Sequence, residues 1–157
     1  MTPTRSSPNH WLQLDNQLCF AMYSASLAIT KLYRPLLAEL GLTYPQYIVM
    51  LSLWEHDDQS VSDLGRRLSL DSGTLTPLLK RLQASGLITR NRDSADERRV
   101  RVTTTAAGRQ LKTQALRVPQ CMLQASQCSL PELEQLTHQV QQLRDQLAAY
   151  TAESPPQ

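Results

Sequence analysis

Apolar residues recur at intervals of three and four through most of this chain and give way to alternation at one place. Between Leu12 and Leu40 the positions Leu14, Leu18, Ala21, Met22, Ala25, Ile29, Leu32, Leu36 and Leu40 keep the spacing of one helical face. Pro35 has no N–H to give to the carbonyl four residues earlier, so a bend or break is predicted there. Gly41 closes this helix, and Thr43 caps a second one, entered through Tyr44-Pro45. The second helix carries Tyr47, Ile48, Met50, Leu51, Leu53 and Trp54 to an acidic turn, Glu55-His56-Asp57-Asp58. Ser60 starts a third helix: its hydroxyl can accept from free N–H groups, and Asp63 places a negative charge in the first turn. Val61, Leu64 and Leu68 give that helix its apolar side. After the turn Leu70-Asp71-Ser72-Gly73, a fourth helix is predicted from about Ser72 to Ala84. Its back is Leu75, Leu78, Leu79 and Leu82; its front is Ser72, Thr74, Thr76, Lys80 and Arg81. Gly86 can adopt the left-handed conformation that ends it.

The period then changes to two. Leu87-Ile88-Thr89-Arg90 and Val100-Arg101-Val102-Thr103 read as strands joined by a loop rich in Arg and Asp. Thr105 begins a further helix that reaches Leu116, meets Pro119 and continues to Ser126. Ser129 or Leu130 starts the last one, with Pro131 and Glu132 in its first turn and Leu133, Leu136, Val140, Leu143 and Leu147 as its stripe.

The resulting fold class is mainly α with a small β-hairpin wing, a winged helix-turn-helix flanked by helices at both ends. Residues 60–105 form the DNA-binding lobe, and its fourth helix is shaped for a major groove with the hairpin beside it. A single domain is predicted over 12–150, with tails at 1–11 and 151–157. Helices over 12–40 and 106–150 keep apolar stripes that one small lobe cannot cover. Burying them against a second copy gives a two-fold homodimer whose reading helices meet a pseudo-palindromic double-stranded operator.

Charge sharpens this picture. Residues 60–105 hold nine Lys and Arg against five acids, a net of +4, whereas the chain as a whole carries +2. Positive charge gathered on one module is the electrostatic footprint of phosphate binding. No apolar run approaches the roughly 20 residues of a membrane span. The first ten residues lack the apolar segment of a secretory signal. The expectation is a cytoplasmic protein without membrane contact, cofactor or metal.

Of the three cysteines, Cys19 draws attention in the stretch LDNQLCFAMYSAS. No Lys, Arg or His lies within a helical turn of it, and pattern alone favours a small core residue over a reactive thiol. The cysteines form no CxxC or Cys/His set, and His10, His56 and His138 show no ligand spacing.

Three stretches change that balance: LDNQLCFAMYSAS, KLYRPLLAELGLTYPQYIVMLSLWEHD and LDSGTLTPLLKRLQASGLITRNRDSADERRV. Together they closely resemble the organic hydroperoxide resistance regulators of the MarR family, and the resemblance extends over roughly residues 12–147. It implies that the chain is a thiol-based repressor rather than an enzyme, with Cys19 as the peroxide-sensing residue. The same resemblance puts the tyrosine hydroxyls that hold the sensor at Tyr33 and Tyr44, with Tyr23 close by. A phenol donor can stabilise a thiolate, which is the form that attacks a peroxide. The apolar neighbours Leu18, Phe20 and Met22 suit an organic hydroperoxide better than hydrated hydrogen peroxide.

Many members of this branch carry a second, resolving cysteine near the break between the last two helices. The matching position here is Gln124, and cysteines stand instead at Cys121 and Cys128, one turn before it and one after. Either could resolve. For DNA contact the resemblance points to Ser72, Thr74, Thr76, Lys80 and Arg81 on the reading helix, Arg90 on the first wing strand, and Arg98 at the wing tip. Arg98 would enter the minor groove, held by Asp96. The competing reading is a repressor of the same fold released by a small aromatic acid, with Cys19 structural.

Overall fold

The computed structural model describes residues 8–153, which form seven helices and three short strands. The helices are α1 (Leu18–Glu39), α2 (Tyr44–Glu55), α3 (Val61–Leu68), α4 (Ser72–Ala84), α5 (Ala106–Ala115), α6 (Arg117–Ser126) and α7 (Leu130–Glu153). The strands are β1 (Gln59–Ser60), β2 (Ile88–Arg92) and β3 (Val100–Thr104). The chain divides into two compact units, one ending at Val118 and the other beginning at Pro119.

The first unit is built around α2. Thr43 and Gln46 cap this helix reciprocally: the Gln46 N–H donates to Thr43 Oγ1 at 3.4 Å, and the Thr43 N–H donates to Gln46 Oε1 at 2.9 Å. Tyr47, Val49, Met50 and Leu53 of α2 are buried against Leu37 of α1, Leu64 of α3, Leu75, Leu79 and Leu82 of α4, Ile88 of β2 and Val102 of β3. The apolar back predicted for α4 is therefore core, and the predicted bounds of that helix are the observed ones.

The first helix differs from its expected span. It begins at Leu18 rather than Leu12, and the preceding residues form two 3-10 turns, Pro8–Leu12 and Leu14–Asn16. Polar side chains there take backbone carbonyls: the Asn16 amide donates to His10 O at 3.0 Å, and the Gln17 amide donates to Trp11 O. Such local bonds compete with the helical ladder. Residues 8–11, expected as tail, thus belong to these turns; residues 1–7 lie outside the described part. Pro35 does not break α1 either. It sits one turn from the C-terminal end, so the ladder loses one donor, to the carbonyl of the exposed Lys31.

Ser60 caps α3 as expected, with Oγ accepting from the Asp63 N–H at 3.1 Å. The hairpin gains a third strand that two polar residues could not announce by alternation. β3 lies in the middle, pairing antiparallel with β1 (Ser60 opposite Arg101) and with β2 (Arg90 opposite Val102). The acidic turn before β1 fastens this sheet. Asp57 accepts from the Thr104 N–H at 2.8 Å and from its hydroxyl at 2.7 Å, and Asp58 accepts from Arg101 Nε at 2.7 Å. Partial burial pulls the Asp57 pKa upward, but the Thr104 hydrogen bonds outweigh it and hold the carboxyl below the usual range.

Thr105 caps α5, accepting from the Gly108 N–H at 3.1 Å. The helix expected to run on to Ser126 is two helices, parted at Leu116. Pro119 is the physical cause: it has no N–H for the carbonyl of Ala115, the residue on which α5 ends. Gly108 is pressed against the chain leaving α4. A Cβ there would overlap the Leu87 carbonyl oxygen, and the Gly108 carbonyl accepts from Trp54 Nε1 at 2.8 Å. Gly108→Ala should lower stability by about 3 kcal/mol, because backbone atoms cannot step aside as side chains can. A thermal melt should show a drop of roughly 10 °C.

In the second unit Ser129 caps α7, receiving the Glu132 N–H at 3.4 Å while Glu132 Oε2 accepts the Ser129 N–H at 2.7 Å. This helix runs to Glu153, past the predicted end at 150, and none of its residues is buried. Residues 154–157 lie outside the described part. Among the described residues no single helix is long and apolar enough to cross a membrane, and no group of three His, Cys, Asp or Glu could hold a metal ion.

Candidate nucleic-acid interface and redox site

Asp71 sets the start of α4. Its carboxylate accepts from the Thr74 N–H at 2.8 Å and the Thr74 hydroxyl at 3.2 Å, and these bonds hold it below the usual carboxylate range. Ser72, Thr74, Lys80 and Arg81 are exposed on the side opposite the buried leucines, with Thr76 half-buried between them. The expected face is assembled, although the Thr74 hydroxyl is already engaged by Asp71.

In the wing, Asp93 N–H donates to Arg99 O at 2.8 Å and Arg99 N–H donates to Asp96 O at 2.9 Å, closing the tip. Arg98 projects from it with its side chain 92% exposed. Asp96 accepts from the Arg98 backbone N–H at 3.1 Å but reaches Nε only at 3.4 Å. It therefore shapes the turn more than it restrains the guanidinium, since an exposed pair at that length is weak. Arg90 donates through Nε to Gln83 Oε1 at 2.7 Å, tying the wing to the last turn of α4. Gln83 was not singled out in the sequence, because a lone Gln on a helix front carries no signal.

Several basic residues counted in the module's charge serve the fold. Arg66 pairs with Asp63, Arg67 with Glu55, Arg99 with Asp63 at 3.7 Å, and Arg101 with Asp58. Among the described residues Lys80, Arg81 and Arg92 have no ion-pair partner, so Arg92 of β2 joins the predicted set as an exposed cation.

Cys19 lies in the first turn of α1 and is exposed, as is every residue from Leu18 to Ala28. The reading of Cys19 as a core residue does not hold within one chain, because this half of α1 extends beyond the packed body of its unit. Tyr23, one turn on, is 63% exposed. Tyr33 and Tyr44 are brought together, with ring centroids 6.1 Å apart. Tyr47, which the sequence placed only in the apolar pattern of α2, completes the group at 6.3 Å from Tyr33 and 6.4 Å from Tyr44. Burial first, then the two neighbouring phenols, push the Tyr47 pKa up to about 12. One chain does not bring Cys19 to these rings. Tyr33 lies fourteen positions beyond Cys19 on an uninterrupted helix, about 21 Å along the axis.

Cys121 is half-buried in α6 and Cys128 is half-buried in the turn before α7; all three cysteines are free thiols. The Cys128 N–H donates to Ser126 Oγ at 3.3 Å, next to Gln127 in the left-handed region at φ 56°. Gln124 is exposed between them. A cavity among Leu36, Glu39, Leu40, Gln114, Arg117 and Val118 measures about 190 Å³. It is smaller than the roughly 300 Å³ at which ligand pockets begin.

The family model described as transcriptional regulator SarA/Rot matches residues 31–115. The organic hydroperoxide resistance transcriptional regulator of Bacillus subtilis (strain 168) is 49% identical over 80% of this chain and 85% of its own length. The reduced AbfR of Staphylococcus epidermidis bound to DNA superposes with a TM-score of 0.75 at 35% identity, over 92% of this chain and 99% of that one. Its disulfide form gives 0.63 at 33% identity, over 92% of this chain and 96% of that one. Its overoxidised form bound to DNA gives 0.71 at 36% identity, over 90% and 99%. Escherichia coli MarR, at 23% identity and a TM-score of 0.66 over 81% of this chain and 96% of its own, shares the fold. A winged helix with this hydroxyl-rich basic front, matched at this level over most of both chains, places the protein among the MarR-like winged-helix transcriptional regulators, in the organic hydroperoxide resistance branch.

Proposed function

We propose that the protein is a homodimeric repressor that holds a pseudo-palindromic operator in the bacterial cytoplasm and releases it when an organic hydroperoxide oxidises Cys19. The observation that carries this reading is the exposed thiol of Cys19 on an uncovered apolar helix. Leu18, Phe20, Met22, Tyr23 and Leu27 around it are all exposed large apolar groups. On α7 Leu136, Val140 and Leu147 are exposed as well. Such faces call for a second copy, and a two-fold arrangement covers both with the same contacts.

The dimer also resolves the distance problem. The Tyr33 and Tyr44 hydroxyls can reach Cys19 only if they come from the partner subunit, as antiparallel passage of two α1 helices would allow. A phenol donor beside the sulfur favours the thiolate. The thiolate attacks one peroxide oxygen; the O–O bond breaks, two electrons leave sulfur, and the alkoxide takes a proton to become the alcohol. The resulting sulfenic acid then condenses with the thiol of Cys121 or Cys128, losing water and forming a disulfide. AbfR is bound to DNA both in its reduced and in its overoxidised form, so overoxidation does not by itself abolish binding in that relative. That supports the disulfide as the releasing event.

On the DNA side Ser72, Thr74 and Thr76 meet base edges or phosphates, Lys80, Arg81 and Arg90 meet phosphates, and Arg98 enters the minor groove beside Asp96. Arg98→Ala should weaken operator binding and reduce its salt dependence by about one counterion, with relaxed preference at the outer A·T positions. Anisotropy titrations at several salt concentrations measure both; an unchanged slope with unchanged affinity would remove the wing from the interface. For the reading as a whole, cumene hydroperoxide should release DNA carrying the operator from the reduced dimer, and dithiothreitol should restore binding. Retention of DNA under full Cys19 oxidation to the disulfide would refute it.

A further inference from the structure

We propose that Arg101 is a positioning residue for operator binding: it joins Asp58 at the root of the wing to Asp93 at its tip, and so holds Arg98 where it can enter the minor groove. This rests on the proposed function, in which Arg98 is the wing's contact with DNA.

Arg101 lies on β3, the middle strand, opposite Ser60 of β1 and Asn91 of β2. Asp58 comes two residues before Ser60, and Asp93 two residues after Asn91. These are diagonal places on the two flanking chains, one toward the root of the sheet and one toward the tip, within reach of a long side chain. Arg101 Nε donates to Asp58 Oδ1 at 2.7 Å, Nη2 donates to the Asp58 carbonyl, and Nη1 stands 3.8 Å from Asp93 Oδ2. One planar guanidinium therefore engages both turns at once, in a fork that a lysine cannot reproduce. The Arg101 hydrogen bond outweighs desolvation and holds the Asp58 carboxyl below its usual range. The Asp93 side chain is only 16% exposed, so water screens this tie less than it screens the open Arg98–Asp96 pair.

The need for a brace follows from how the wing is attached. Inside the tip, the Ala95 N–H donates to Asp93 Oδ1 at 2.9 Å and the Asp93 N–H donates to Arg99 O. These bonds fix the shape of the tip but not its place relative to the reading helix. That place is set through β1, which pairs over two residues, through Arg90 on Gln83, and through Arg99, which reaches Ser60 Oγ at 3.4 Å and Asp63 at 3.7 Å. Arg101 adds to them a single side chain that holds a root carboxylate and a tip carboxylate together. Its charge is compensated within the sheet, so its part in binding is placement of Arg98 and not a phosphate contact.

The test is a double-mutant cycle of Arg101→Met with Arg98→Ala in the reduced full-length protein. Anisotropy on operator DNA at several salt concentrations gives affinity and salt slope, with thermal melting followed alongside. Arg101→Met alone should weaken binding about fivefold and lower the slope by about one counterion, because the Arg98 contact goes with it. In the Arg98→Ala background it should cost less than about twofold and leave the slope where it was. Equal losses in both backgrounds would make Arg101 a phosphate contact in its own right and overturn the proposal, as would wild-type affinity in Arg101→Met. If the Met variant does not fold, Arg101→Lys takes its place: the net charge is kept, the two-carboxylate span is lost, and the same pattern is expected. The cycle also separates two kinds of failure. Arg98→Ala binding like wild type means that the wing is not a DNA contact; Arg98→Ala weakened with Arg101→Met normal means that only the brace fails.

Discussion

Cys19→Ser binds operator DNA as tightly as wild type and is no longer released by organic hydroperoxide. The two halves of this expected result come from different parts of the chain. The proposed DNA face is formed by α4 and the wing, within residues 60–105, whereas Cys19 stands at the start of α1. Replacing sulfur by oxygen exchanges one atom for a slightly smaller one and leaves the helix intact, so stability and affinity should stay within about 0.5 kcal/mol of wild type. The hydroxyl, in contrast, is not ionised at neutral pH and cannot reduce a peroxide, so the chemical step disappears entirely. Fluorescence anisotropy with excess cumene hydroperoxide measures both halves. Normal release by the serine variant would move the sensor elsewhere.

The second large effect concerns the resolving thiol. Oxidised wild type should run as a covalent dimer on a non-reducing gel, and Cys121→Ser/Cys128→Ser should abolish that band. A disulfide needs Cα atoms within about 7 Å, and the segment bearing both cysteines is built to move. It starts where Pro119 interrupts the backbone ladder and runs to Cys128 through Gln127, whose left-handed conformation is costly for a residue with a side chain. Unwinding α6, a helix of ten residues, costs little where its packing is slight. The double variant should still form a sulfenic acid at Cys19, release DNA less completely, and proceed more readily to sulfinic acid. The single variants then assign the partner: the one that loses the dimer band carries it. A monomer band after complete oxidation of wild type would mean that the bond closes within one chain.

Much of this was legible in the sequence, for identifiable reasons. Side-chain caps announce helix starts, and Thr43, Ser60 and Thr105 each cap the helix predicted for them. The four leucines of α4 defined a face that only burial could explain. Features that depend on a carbonyl several residues away were harder to read. Pro119 ends α5 through Ala115, whereas Pro35, with the same chemistry, leaves α1 continuous because it falls at the helix's last turn. The 3-10 turns before Leu18 arise from Asn16 and Gln17 side chains reaching backward, which no apolar period records. The candidate site was legible as a set of residue types, because cysteine in its motif and tyrosine at Tyr33 and Tyr44 carry recognisable chemistry. Tyr47 read only as core because a buried aromatic on a helix looks like core, and it is core. The separation of Cys19 from the tyrosines followed from counting along α1 only once the helix was known to be unbroken between them.

The central claim is that Cys19 is oxidised first and then bonded to a cysteine of the C-terminal segment. Peptide mapping by mass spectrometry, after one equivalent of cumene hydroperoxide is added to the reduced protein, tests it directly. The account predicts a disulfide-linked peptide pair joining Cys19 to Cys121 or Cys128, in proportion to the DNA released. Release of DNA with Cys19 still recovered as a free thiol would contradict it.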